Sequence, residues 1–236
     1  MPMQWLVGTS GYSYKEWKGN FYPTNLRARE FLQFYADRFN AVEINNTFYR
    51  MPKEETLAGW YNSTPASFKF ALKAPQRITH RSRLQDCDKP LQLFLQATQG
   101  LKEKRGPLLF QLPPDMPKDA AILRKLLAKF PSESSVAFEF RHPSWLDNEI
   151  VEILRTSNAA LCISDTDDAP PPEKLVIPTA SWGYQRLRRT DYTTSQIETW
   201  KRILAGQSWS EAYIFFKHED EANGPRFAMQ FMGAQA

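Results

Sequence analysis

The chain alternates between short apolar runs and longer stretches in which apolar residues recur at helical spacing. The runs fall at residues 5–9, 41–45, 68–73, 107–112, 136–141, 159–165, 182–187 and 212–217, and they are rich in Val, Ile, Leu and Phe, as strands are. Between them the spacing predicts helices with recognisable starts. Asn25 is placed to cap a helix that buries Phe31, Leu32, Tyr35 and Phe39. Asp88 leads a stripe of Leu91, Phe94, Leu95 and Leu101, with Pro90 in the first turn, where it is tolerated. Asp119 leads Ile122, Leu123, Leu126, Leu127 and Phe130, and Asp147 leads Ile150, Val151 and Leu154. Thr193-x-x-Gln196 forms a capping box ahead of Ile197, Trp200 and Leu204, and a last helix is expected over 226–232. Residues 169–177 hold three consecutive prolines and no apolar stripe, so the sixth unit is expected to lack its helix.

Eight strands, each followed by a helix or its remnant, predict an α/β fold: one (β/α)8 TIM-type barrel spanning residues 1–236, with an irregular sixth βα unit. An open doubly wound sheet would carry a glycine-rich first turn. Gly8-Thr9-Ser10-Gly11 is not G-x-G-x-x-G, and no Gly-Lys-Ser/Thr follows it.

Composition narrows the class. With 42% apolar and 24% charged residues among 236, this is neither a disordered nor a fibrous chain. The apolar runs fall far short of the roughly 18 residues that span a bilayer, and the first seven residues lack a basic export signal. A cytoplasmic protein with no membrane partner is expected. Cys87 and Cys162 form no framework and are expected to be free thiols. A net charge of +4, from 30 basic and 26 acidic residues, permits anionic partners but lacks the excess of a dedicated nucleic-acid binder.

The candidate chemistry follows from strand phase. Side chains alternate across a strand, and barrel strands end at the face that carries function. Glu43 and Asn45 share one side of the second strand, Lys69, Ala71 and Lys73 of the third, Leu109 and Gln111 of the fourth, Glu139 and Arg141 of the fifth, Tyr184 and Arg186 of the seventh. Val42, Ile44, Phe68, Phe70, Leu72, Phe138 and Phe140 occupy the other sides, suited to packing beneath helices. The polar set, with Asp165 closing the sixth strand and Lys217 the eighth, is therefore expected to point inward near the mouth, with cations in excess. Loops at the same end add Tyr12, Tyr14, Trp17, Tyr49, Arg188 and Arg189; rings beside cations suit stacking on a base or sugar, or equally the packing of a plug. His80, His142 and His218 show no metal-ligand spacing, so no metal and no cofactor are expected.

Several segments together resemble the domain of unknown function 72 family: Gly8-Thr-Ser-Gly-Tyr, Val42-Glu-Ile-Asn-Asn-Thr-Phe-Tyr-Arg, Phe68-Lys-Phe-Ala-Leu-Lys-Ala-Pro, Phe110-Gln-Leu-Pro-Pro, Phe138-Glu-Phe-Arg-His-Pro-Ser-Trp and Phe216-Lys-His-Glu-Asp. The resemblance runs in order along essentially the whole chain. It implies a TIM-type barrel and supplies no reaction. Glu43, Asn45, Lys73, Gln111, Glu139, Arg141 and His142 fall on its motif positions. One departure stands out: many relatives resemble an Asn-Asn-Asp ending on the last strand, where this chain has Lys217-His218-Glu219-Asp220.

The expected function is recognition of a small phosphate- or carboxylate-bearing ligand, with Arg141 and Arg186 as bidentate clamps. Asn45, Lys73, Gln111, Asp165, Tyr184, Lys217, Tyr12 and Trp17 complete the expected binding set. If the protein is an enzyme, Glu43, Glu139 and His218 are the acid/base candidates for hydrolysis or isomerisation. Two alternatives stand beside this: a nucleic-acid-binding or phosphodiester-processing barrel, and a non-catalytic interaction protein whose charge network is structural.

Overall fold

The computed structural model describes residues 2–217 and 220–233. All eight expected strands form: β1 Gln4–Thr9, β2 Ala41–Ile44, β3 Lys69–Lys73, β4 Arg105–Gln111, β5 Val136–Glu139, β6 Ala160–Leu161, β7 Gly183–Leu187 and β8 Glu211–Phe216. They pair in parallel as two sheets, β1-β8-β7 and β2-β3-β4-β5-β6. The helices are α1 Phe31–Ala36, α2 Glu54–Asn62, α3 Asp88–Thr98, α4 Ala120–Leu127, α5 Asn148–Thr156, α6 Thr194–Ala205 and α7 Asn223–Met232. Between β6 and β7 only a short 3-10 turn forms, Pro172–Lys174, as the proline run requires.

The sheets meet at two seams where side chains replace most of the backbone ladder. Between β1 and β2, Val7 N donates to Asn40 Oδ1 at 2.8 Å, and Asn40 Nδ2 donates to Trp5 O at 2.8 Å. The Tyr35 hydroxyl accepts from Thr9 N at 2.7 Å and donates to Ala41 O at 3.1 Å. Gly8 sits at the closest approach: a Cβ there would lie 1.9 Å from Ala41 O. A single backbone bridge, Ser10 to Glu43, completes the seam. Between β6 and β7, the Thr179 hydroxyl accepts from Leu161 N at 2.8 Å and donates to Ala159 O at 2.7 Å, and a bridge joins Asp165 to Leu187.

Two cores result. The larger lies between strands and helices and holds Val42, Ile44, Phe68, Phe70, Leu72, Phe138 and Phe140, the faces assigned to it by alternation. The smaller draws on both sheets: Ala41, Ala71, Leu109, Ala137 and Ala160 from one, Leu6, Tyr184, Tyr213 and Phe215 from the other. Alanines of one sheet and large rings of the other fill this shared core.

Helix starts follow local chemistry. Asp119 Oδ1 accepts from Ile122 N at 2.9 Å, Asp147 Oδ1 accepts from Ile150 N at 3.1 Å, and the Thr193/Gln196 capping box forms. Asn25 does not cap α1. A 3-10 turn, Ala28–Glu30, precedes that helix, and Glu30 reaches back to Arg27 N instead. Helix α2 carries too weak a stripe to be foreseen: only Leu57 of it is buried, and its start has no capping side chain. Cys87 and Cys162 are both buried free thiols. No helix among the described residues is long and apolar enough to cross a membrane.

Candidate functional site

The smaller core becomes polar toward the C-terminal strand ends. Glu43, two residues past Ala41, and Glu139, two past Ala137, turn inward and are almost completely buried. Arg186 on β7, also buried, lies between them. Its Nη1 donates to Glu139 Oε2 at 2.5 Å and its Nη2 to Glu43 Oε1 at 3.0 Å, while Nε stands 2.9 Å from Glu43 Oε2. Neutral donors complete the arrangement. Glu43 accepts from Ser10 Oγ at 2.7 Å, Asn45 Nδ2 at 3.0 Å and the Tyr184 hydroxyl at 2.7 Å. Glu139 accepts from Gln111 Nε2 at 2.9 Å and from Arg141 Nε at 3.2 Å.

Burial alone would push both carboxyls up. For Glu43, Arg186 and the Ser10, Tyr184 and Asn45 donors outweigh it and hold the group below the usual carboxylate range. For Glu139, Arg186 and Arg141 do the same, with help from Gln111. Arg186 gains correspondingly: the two carboxylates overcome its desolvation and keep it charged. The triad is thus ionised; ion pairing within it, with Arg141 and the neutral donors around it, is what lets three charges stay buried.

Above this layer opens a cavity of about 310 Å³, lined by Lys73, Arg141, Arg186, Arg188, Lys217, Gln111, Asn45, Asn46, Tyr14 and Tyr49. Five of the described lining residues are cations and none is a carboxylate. Lys73 Nζ donates to Gln111 Oε1 at 2.7 Å and stands 4.3 Å from the centre of the Phe48 ring. Its burial, then Arg186, pushes the ammonium down to about 8. Arg188 is lowered too, first by burial and then by Arg186. The described residues hold no group of three or more His, Cys, Asp or Glu arranged for a metal ion.

The comparisons with known proteins bear on this geometry. The family model described as "Protein of unknown function DUF72" matches residues 6–236. The chain belongs to the DUF72 family. A DUF72 crystal structure from Thermotoga maritima superposes with a TM-score of 0.86 at 26% identity, covering 98% of each chain. The chain is 35% identical over 115 residues to the UPF0759 protein YecE of Escherichia coli, a match covering 48% of this chain and 42% of that protein's length. It is 24% identical over 231 residues to the UPF0759 protein YunF of Bacillus subtilis, 91% of this chain and 79% of that one.

Within this DUF72 chain the expected site residues separate into distinct places. Asn45, Lys73, Gln111, Arg141, Arg186 and Lys217 meet at one cavity. Glu43, Glu139 and Tyr184 lie in the layer beneath it. Arg186 lines the cavity, yet its three nitrogens engage the carboxylates, so the expected bidentate clamp is directed at Glu43 and Glu139. Asp165 turns away from the cavity and accepts from Arg189 Nε at 2.7 Å, the Tyr192 hydroxyl at 2.8 Å and Trp200 Nε1 at 2.9 Å. Ala160 and Cys162 face the inner core, so Asp165 falls in the opposite phase, with Leu161 and Ile163. Lys69 shares the inward phase, but its Nζ donates to Glu103 O at 2.6 Å, ahead of β4 and outside the cavity lining.

Trp17 is buried among Tyr14, Phe21 and Tyr22, and packs the loop after β1. Tyr12 lines a neighbouring depression with Trp60, whose Nε1 donates to its hydroxyl at 3.1 Å. His218 lies outside the described residues. His142 accepts from Ser144 N at 3.2 Å and caps a short turn. Four lining residues escaped the expected binding set: Tyr14, Asn46, Tyr49 and Arg188. Arg188 was findable, since it continues the phase of Arg186 one pleat beyond β7.

Proposed function

We propose that the two sheets are arcs of one (β/α)8 barrel domain whose mouth binds a small phosphate- or carboxylate-bearing ligand. The barrel reading is supported by the bridges at both seams and by the inner core shared between the sheets. One observation carries the ligand reading: five cations line the cavity with no carboxylate among its described lining residues. Glu43 and Glu139 carry one charge more than Arg186, which Arg141 offsets at Glu139, and the cations of the lining stand in the layer a ligand would meet. Arg141 is the principal contact. Of its donors only Nε bonds another described residue, Glu139, which leaves the outer guanidinium edge for a bidentate anion. In this reading Glu43 and Glu139 position cations and exchange no protons, because both are held ionised at neutral pH.

The test is calorimetric titration of inorganic phosphate and a simple phosphate monoester into wild type, Arg141→Lys and Arg141→Met. The lysine keeps the charge and loses the planar fork, so binding weakens by about 1–3 kcal/mol, the scale of a charged hydrogen bond. The methionine variant loses binding and still folds, since Glu139 retains Arg186 and Gln111. Equal affinities in all three proteins would refute the reading.

A second reading has its own support. Tyr49 is 74% exposed at the rim, and an adjoining depression carries Arg50 and Lys53. An exposed ring flanked by cations suits a single-stranded oligonucleotide. Tighter binding of a short oligonucleotide than of its monomer, lost in Tyr49→Ala, would select it.

A further inference from the structure

We infer that Lys73 is a nucleophilic amine that captures the carbonyl carbon of a small anionic aldehyde or ketone as an imine. The ligand's charge rests on the anion-binding reading above; the state of the amine does not.

Lys73 ends β3 in the inward phase, which puts its ammonium at the cavity floor. Its hydrogen-bond partner there is neutral: Gln111 Oε1, at 2.7 Å. The Phe48 ring covers another side. No carboxylate lies within ion-pair distance of it among the described residues. The charged groups that act on it come from separate elements: Arg186 on β7 and Arg141 beyond β5 disfavour its charge, while Glu43 on β2 and Glu139 on β5 favour it. Those two carboxylates are turned onto Arg186 and Arg141, so two anions face two cations and their pull on Lys73 is offset.

A desolvated lysine beside other cations is the arrangement that frees an amine for imine chemistry. With the ammonium at about 8, roughly one Lys73 in ten is unprotonated at pH 7, against about one in 2,500 for an ordinary lysine. Arg141 and Lys217 line the same cavity and would hold a carboxylate or phosphate, so a carbonyl one or two carbons away would meet Nζ.

The step balances without an oxidant. The amine lone pair attacks the carbonyl carbon; the C–N bond forms as the carbonyl π pair moves to oxygen. That oxygen takes up a proton and nitrogen releases one to solvent, giving a carbinolamine. Loss of the hydroxyl as water, with departure of the second N–H proton, forms C=N. One amine and one carbonyl become one imine and one water.

The experiment is reductive trapping. Glyoxylate, which is anionic, and acetaldehyde, which is not, are each incubated with the full chain and sodium cyanoborohydride at pH 7, and labelled lysines are located by peptide mass spectrometry. Lys73 is expected to label at least tenfold faster than the mean of the other lysines with both probes, and fastest with glyoxylate. Lys73→Arg should abolish that label while keeping the wild-type circular dichroism. Arg141→Met should slow glyoxylate trapping several-fold more than acetaldehyde trapping, since it removes an anion contact from the first probe and only a neighbouring cation from the second. Lys73 labelling no faster than the average lysine with either probe overturns the inference. Selective labelling by both probes at equal rates, slowed by Arg141→Met to the same extent for each, upholds the amine and overturns the anion reading on its own.

Discussion

Replacing Arg186 by Met tests the charge layer at its centre. The substitution keeps an unbranched stem and removes the cation shared by two buried carboxylates. The loss is unequal. Glu139 retains Arg141 and Gln111, whereas Glu43 is left with Ser10, Asn45 and Tyr184, all neutral. Breaking a buried ion pair by removing one partner costs about 3–5 kcal/mol. Protonation of Glu43 caps its own share. With an unfolded value of about 4.3, holding that carboxyl neutral costs about 3.7 kcal/mol at pH 7 and about 1 kcal/mol at pH 5.

The pH dependence has a definite sign. In wild type both carboxyls sit below their unfolded value. Their stabilisation is therefore complete above the unfolded value of about 4.3 and is lost only as pH falls through the folded values. They do not change wild-type stability between pH 7 and 5. In the variant Glu43 moves above its unfolded value, takes up a proton on folding, and is helped by acid. Urea denaturation should show the variant about 3–5 kcal/mol less stable at pH 7, with the gap narrower by about 2–3 kcal/mol at pH 5. A gap below about 1 kcal/mol at pH 7, or one of equal size at both pH values, would mean that the layer does not hold its charges as described.

Two further substitutions probe the frame around the site. Tyr35→Phe strips one seam of its hydroxyl and leaves Thr9 N and Ala41 O without that partner, so urea unfolding should show a loss of about 1–3 kcal/mol; no change would mean water or backbone replaces it. Asp165→Asn disrupts the contacts to Arg189, Tyr192 and Trp200 and should cost about 2–3 kcal/mol, while phosphate affinity stays at the wild-type value. A change in that affinity would return Asp165 to the binding site.

Much of this protein could be read from local pattern, because the relevant physics is local. A pleated strand sends alternate side chains to opposite faces whatever surrounds it. The alternation along Ala41-Val42-Glu43-Ile44 and Ala137-Phe138-Glu139 therefore determined which residues meet helices and which meet the inner core. The caps at Asp119, Asp147 and Thr193 were legible for the same reason: each side chain bonds a backbone N–H three residues on. Even Asp165 was decided by alternation, counted from Ala160 rather than from the strand's last residue.

Other features depended on partners far away in the chain. Helix α2 has little stripe of its own and forms where Leu57 finds a buried place. No spacing announces that Asn40 and Tyr35 would supply the bonds that a neighbouring strand usually makes to β1. The roles of Glu43, Glu139 and Arg186 were likewise settled in three dimensions. Sequence placed two acids and a guanidinium in the inward phase. Only the approach of β7 to β2 and β5 brought Arg186 between the two carboxylates, a geometry that pairs the buried charges beneath the cavity and leaves cations to line it.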